Sequence, residues 1–222
     1  MTFNAAEKHQ SQVPAIQLLV ALGFTPLSQE ETLRLRGGRL RNVVLDDILA
    51  EQLMRINRFT HRGREYGFDL EDAHEAMRRL KPTPDRLKGL RGTNQDIYDT
   101  LVLGTTITKS IDGDSKSYSF RYIDWQRPEN NVFHVTAEFS VERTASSQTK
   151  RCDIVAFVNG IPILVIENKR PTESLKKADS QLIGYQNEDN IPQIFHFAQL
   201  LIGMKRNEAR YAAVGTPRKF WQ

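Results

Sequence analysis

Apolar positions along the chain change their spacing near residue 105. Before that point they recur at helical intervals. Residues 4–22 read as an amphipathic helix, with Ile16, Leu19, Val20 and Leu22 toward its C-terminal half and Gly23 as its stop. Pro14 falls within the run and either begins the helix proper or kinks it. Leu45 to Phe59 and Asp69 to Leu80 carry two further helical patterns, after which Pro82 and Pro84 break the chain. Asn94 to Leu103 adds a short helix with Thr93 as N-cap. Between the first helices, Leu33 to Leu40 alternates around Gly37-Gly38 and predicts a small hairpin.

Beyond residue 105 the texture is that of strands. Thr105–Thr108, Tyr118–Trp125, Val132–Val141, Cys152–Val158 and Ile163–Lys169 are β-branched or aromatic runs separated by turn residues. Leu175 to Gln186 reads as a helix, and Phe197–Ile202 and Tyr211–Val214 as short strands. Helices, then a meander of strands, then helix and strand predict an α/β domain with a mixed β-sheet flanked by helices.

Length and composition narrow the class. A chain of 222 residues is one domain or at most two, and can bury a core without staples. The one cysteine, Cys152, excludes a disulfide framework or a Cys-rich zinc site and fits a reducing, cytoplasmic location. The longest apolar run, Ile161 to Ile166, is far short of the ~20 residues of a membrane span. The N-terminus shows no secretory signal. A net charge of +4, spread evenly, permits a nucleic-acid partner without arguing for one.

Chemistry concentrates between Cys152 and Lys169. Two apolar strands flank Asn159-Gly160, the strongest short hairpin signal, and acids sit at the outer ends: Asp153 on one strand, Glu167 on the other. Buried strands do not end in charge unless the charges pair, reach solvent or bind a metal. Alternation sets Glu167 and Lys169 on one face and Asn168 on the other. With Asp153 beside them, two carboxylates and an ammonium converge, a hard-oxygen site suited to Mg²⁺. Such an ion lowers the pKa of a bound water, and a lysine orients that water or neutralises a pentavalent phosphate. Parity adds a condition. A plain two-residue turn at Asn159-Gly160 sets Asp153 opposite Ile166, on the wrong face for Glu167. Convergence therefore requires an odd-length loop, or a bulge between Val158 and Ile166.

This Asp…Glu-x-Lys pattern resembles the PD-(D/E)XK nuclease superfamily. More narrowly, the chain resembles the N-terminal nuclease domain of the restriction (R) subunit of Type I restriction-modification enzymes. The resemblance rests on Ile123-Asp124-Trp125, Asn131-Val132-Phe133, the Asp153–Val158 strand, Val158-Asn159-Gly160-Ile161-Pro162 and Gln181-Leu182-Ile183-Gly184-Tyr185. It is close from about residue 94 onward and loose before. It implies a restriction-endonuclease-like core over about 105–222 with a helical elaboration over about 1–104, together one nuclease domain. It further implies that Asp153, Glu167 and the backbone carbonyl of Asn168 hold Mg²⁺, and that Lys169 is the catalytic lysine. Gln181 and Tyr185, one turn apart on a helix, support the site or touch the DNA backbone. Glu7 matches an acid that many relatives place on the first helix. Two positions depart from the family pattern. Asn168 stands where an apolar residue is common, and its side chain needs a partner in the packed side of the sheet. Glu138 stands where relatives often carry Gln; it is either an extra acid near the metal or a solvated strand residue.

Blander readings compete for several residues. A surface salt bridge would explain Asp153, Glu167 and Lys169, ordinary helix pairing would explain Gln181 and Tyr185, and Glu7 would be a solvated acid. Arg34, Arg36, Arg39 and Arg41 could grip phosphates, but a solvated face is the commoner use of such a series. The five histidines lack metal-ligand spacing and read as structural, and Cys152 reads as core filler. No ATPase phosphate loop occurs in the sequence. The resemblance thus implies an N-terminal piece of a longer, motor-containing subunit. It would cut double-stranded DNA after ATP-driven translocation, in complex with modification and specificity subunits, with ATP bound only by the downstream motor. A non-catalytic docking or DNA-binding module on the same fold, or a standalone repair nuclease of the superfamily, are the alternatives.

Overall fold

A computed structural model of the chain describes residues 12–82 and 88–222. Its centre is a mixed sheet of six strands: β1 (Thr25–Leu27), β6 (Phe133–Glu142), β7 (Thr149–Val158), β8 (Ile161–Asn168), β9 (Leu200–Lys205) and β10 (Glu208–Ala212), in that spatial order. The β1–β6 and β8–β9 pairs are parallel and the rest antiparallel. The expected α/β architecture with a mixed sheet flanked by helices is what forms. No described helix is long and apolar enough to cross a membrane.

The sheet buries two unequal faces. On the smaller, α1 (Val13–Ala21) lays Ala15 and Leu19 against Val135, Ile154 and Ile166. Pro14 is the second residue of α1, which follows Gln12, itself in the right-handed helical region. Of the apolar residues predicted to pack from this helix, Val20 and Leu22 are exposed. The larger face carries most of the core. It is covered by α3 (Asp46–Ile56), α4 (Leu70–Leu80), α5 (Gly89–Leu103), α6 (Leu175–Tyr185) and the short α7 (Pro192–Phe195).

Several sequence expectations fail locally, among them the strand expected over Tyr118–Trp125, which stops at Phe120. Leu33–Leu40 is no hairpin: α2 (Gln29–Leu35) occupies it, started by Ser28, whose hydroxyl accepts the Glu31 amide while the Glu31 carboxylate accepts the Ser28 amide. Gly37 and Gly38, both at positive φ, then close the helix through bonds from their amides to the Arg34 and Leu33 carbonyls. Thr93 is not an N-cap, because α5 begins at Gly89 and the Thr93 hydroxyl donates back to the Gly89 carbonyl. Phe59 leaves the predicted helix for β2 (Arg58–His61), which pairs with β3 (Arg64–Gly67). A second hairpin, β4 (Thr105–Ile111) with β5 (Asp114–Phe120), forms its own sheet. The hairpins meet through Phe59, Tyr66, Phe68, Tyr118 and Phe120, and by the 2.7 Å contact of His61 Nδ1 with the Tyr118 hydroxyl.

Candidate active site

The β7–β8 hairpin is fixed at its turn. Asn159, at positive φ, accepts the Val132 amide and donates to the Tyr122 carbonyl and to Asn131 Oδ1. Asn131 in turn brackets the backbone of the fully buried Asp124. The Ile123-Asp124-Trp125 and Asn131 segments are therefore scaffolding for the hairpin.

From Val158–Ile161 the ladder runs regularly to Phe157–Pro162, then jumps to Ala156–Leu164, leaving Ile163 as an extra residue. This is the bulge that parity required. Pairing continues to Ile154–Ile166, so Asp153 and Glu167 lie one step further, directly opposite each other. The two carboxyl groups are close enough for the Asp153 charge to be felt at Glu167.

Each carboxylate is tied down. Asp153 Oδ2 accepts the Asn168 amide at 2.7 Å. Glu167 Oε1 accepts Lys169 Nζ at 2.8 Å, and the same Nζ donates to Gln181 Oε1 at 2.9 Å. Gln181 Nε2 donates to the Tyr185 hydroxyl at 2.6 Å, and that hydroxyl donates to the Arg151 carbonyl at 3.1 Å. The helical spacing of Gln181 and Tyr185 on α6 thus serves to hold the lysine. Glu167 is 1% exposed and Lys169 8%, so this is no surface salt bridge.

Burial, and then the neighbouring Asp153 charge, push the Glu167 carboxyl well above its ordinary range; burial also raises Asp153. Burial, reinforced by the Glu167 and Asp153 charges, pushes the Cys152 thiol up as well, which fits a core filler and not a nucleophile. Glu167 Oε2 is buried with no hydrogen-bond partner. An orphaned carboxylate oxygen beside a second carboxyl is what a divalent cation would satisfy, so the residues present fit a hard cation. Among the described residues no three His, Cys, Asp or Glu side chains gather as a metal cage.

Other candidates fall elsewhere. Glu7 lies outside the described residues. Glu138 is not a solvated strand residue: it is buried, with Arg151 Nη1 at 2.6 Å from Oε2 and Gln12 Nε2 at 3.2 Å from Oε1. Gln12 and Arg151, which no local pattern marks, are the site neighbours that sequence reasoning misses. Asn168 is fully buried, yet neither side-chain polar atom finds a partner. Arg36 is no phosphate grip: it is buried, stacked 4.2 Å over Phe139, and donates to the Asn42 and Ser140 carbonyls. Arg34 and Arg41 face Asp47 and Glu142.

A family model described as the Type I restriction enzyme R protein N terminus matches residues 4–220 of the chain. The chain belongs to this family. Among its relatives, a putative type I restriction enzyme MjaIXP endonuclease subunit of Methanocaldococcus jannaschii is 30% identical over 125 residues, covering 56% of this chain and 12% of the relative. The type I restriction enzyme HindI endonuclease subunit of Haemophilus influenzae is 28% identical over 150 residues, covering 60% of the chain and 14% of the relative. A Staphylococcus aureus relative, the SauCOLORF180P endonuclease subunit, is 30% identical over 140 residues, or 57% and 14%. The Type I family members so named are much longer than this chain, which spans less than a sixth of each.

Proposed function

We propose that the chain carries the DNA-cleaving site of a Type I restriction enzyme, a Mg²⁺-dependent phosphodiester hydrolase. The observation that carries this reading is the buried Asp153–Glu167 pair, with an orphaned Glu167 oxygen and Lys169 held against the other oxygen. Asp153, Glu167 and the Asn168 carbonyl would hold the ion. When bound, Mg²⁺ supplies a more acidic water and stabilises charge on the phosphoryl oxygens. The chain's own groups supply position. Lys169, aimed by Gln181, orients the attacking water and offsets the charge that builds on the phosphate. Tyr185 fixes Gln181 and so keeps the lysine from turning away. Glu7 remains a candidate support on the strength of the family pattern.

The substrate is double-stranded DNA, cut after ATP-driven translocation by a motor that follows this domain in a longer cytoplasmic subunit. Modification and specificity subunits complete the complex, and the latter reads the target sequence. Residues 1–222 then act as one nuclease domain, with the helical elaboration over about 1–104.

Lys169→Ala in the complete subunit tests the assignment. Loss of one preorganised group of this kind costs roughly 2.7–4 kcal/mol in the transition state. Cleavage is expected to fall about a hundredfold or more while ATP hydrolysis and complex assembly persist. Cleavage at near wild-type rates would remove the nuclease reading.

A further inference from the structure

Among the described residues, five non-glycine residues have positive φ: Arg62, Asp112, Ala145, Asn159 and Glu138. The first four stand in turns; Glu138, at φ 60°, stands in the middle of β6. A charged residue in the left-handed region inside a strand is strained, and such strain persists only where the surroundings enforce it.

The left-handed residue has a geometric consequence. Val135 packs in the smaller core, but Phe139, of the same parity, packs in the larger. The partner strand does the same, with Ile154 in the smaller core and Cys152 in the larger. The ladder pairs Ala137 with Ile154 and Phe139 with Cys152, and the step between them, Glu138 opposite Asp153, is where both strands rotate. Ordinary alternation from Ile154 already sets Asp153 on the Glu167 side, so the rotation brings Cys152 onto that same side and makes the Asp153 backbone the irregular step that has to be held.

The Glu138 carboxylate also closes a circuit around the site. Its Oε1 accepts Gln12 Nε2, which donates in addition to the Asp153 carbonyl at 2.8 Å. Its Oε2 accepts Arg151, whose carbonyl receives the Tyr185 hydroxyl, and the chain runs on through Gln181 and Lys169 to Glu167.

We propose that Glu138 is a positioning residue for the carboxylate pair. Its left-handed backbone marks the step at which both strands rotate, and its carboxylate clamps the Asp153 segment there through Gln12 and Arg151. The geometric part stands on the fold alone; the consequence for metal binding rests on the nuclease reading above.

The test uses this chain with Glu138→Gly, which keeps the left-handed turn without strain but removes the clamp, and Glu138→Gln, which keeps one acceptor oxygen. Amide hydrogen exchange is read at Asn168, whose N–H reaches Asp153 Oδ2, alongside urea denaturation and Mn²⁺ titration. For Glu138→Gly, stability is expected to hold or rise while the Asn168 amide exchanges about tenfold faster. Mn²⁺ binding is expected to weaken about tenfold, the low end for loss of a group that orients a metal ligand. Glu138→Gln should fall between wild type and Glu138→Gly in both readouts. Wild-type exchange at Asn168 in the glycine variant would overturn the proposal. So would faster exchange across all sheet amides together with lost stability, which is what a merely structural role gives. If the wild-type chain binds no Mn²⁺, the nuclease reading fails, and the Asn168 exchange still decides the role of Glu138.

Discussion

Asp153 stands directly across the β7–β8 ladder from Glu167 because Ile163 is one residue more than the turn needs. Inside the protein the two carboxyl groups are close enough for the Asp153 charge to be felt at Glu167, and neither is solvated well enough to carry its charge cheaply. Stability and chemistry are therefore linked at this pair.

The first consequence is a pH dependence. Burial raises both carboxyls above their ordinary values of 3.8 and 4.5, with the Asp153 charge adding to the rise at Glu167. Above those values the folded state thus binds more protons than the unfolded chain. The stabilisation they give is fully present below the ordinary values and is lost as the pH rises through the raised ones. In urea melts with EDTA, wild type is expected to lose stability relative to Asp153→Asn/Glu167→Gln as the pH goes from about 4 to 8. Adding Mg²⁺ at neutral pH should restore part of the difference. Parallel stability curves for the two proteins would contradict the coupling.

Asn168 offers a stabilising change. Its amide is buried beside Ile166 on the smaller-core side, with both polar atoms unpartnered. Asn168→Leu replaces both polar atoms by methyl groups on the same branched skeleton, and is expected to stabilise by roughly 1–3 kcal/mol, the usual cost of an unsatisfied buried group. The proposed ligand role uses the backbone, so Mn²⁺ affinity should stay near wild type. An unchanged or lower denaturation midpoint would mean that the amide is satisfied after all.

Gly160 sets the opposite sign. It sits at φ 84°, and a Cβ there would meet the Leu45 carbonyl oxygen at 2.6 Å. The Gly160 carbonyl accepts the Leu45 amide at 2.8 Å, so the contact is backbone against backbone and cannot yield easily. Gly160→Ala is expected to destabilise by at least about 1–3 kcal/mol, from the left-handed strain alone. A chemical-denaturation midpoint within error of wild type would show that the hairpin and α3 part readily.

What the sequence discloses is what local chemistry controls. The Asn-Gly turn and the apolar strands are written within about a dozen residues and locate Asp153, Glu167 and Lys169, whereas Gln181 and Tyr185 are singled out by the family resemblance, the period of α6 giving only their shared face. Parity demands either an odd-length loop or a bulge, and the structure takes the bulge, at Ile163. The hairpin expected at Leu33–Leu40 fails because three alternating positions are too short a pattern, while Ser28-x-x-Glu31, a capping signal in plain view, starts a helix instead. The parts around Glu138 leave no local trace. Gln12 meets Glu138 across 126 positions, and a left-handed glutamate in a strand follows no propensity.

The bond from Gln12 to the Asp153 carbonyl spans 141 positions, and Thr25 of β1 pairs with His134 of β6. Contacts of such long range are slow to form, because the intervening chain must be closed before any of them contributes. The carboxylate pair itself arises from a hairpin and needs only local closure. During folding, the acids can thus meet before Gln12 reaches them. The complete site then waits for the long loop between Gln12 and Asp153 to close, and a partly folded chain would hold the pair of acids without the groups that aim them.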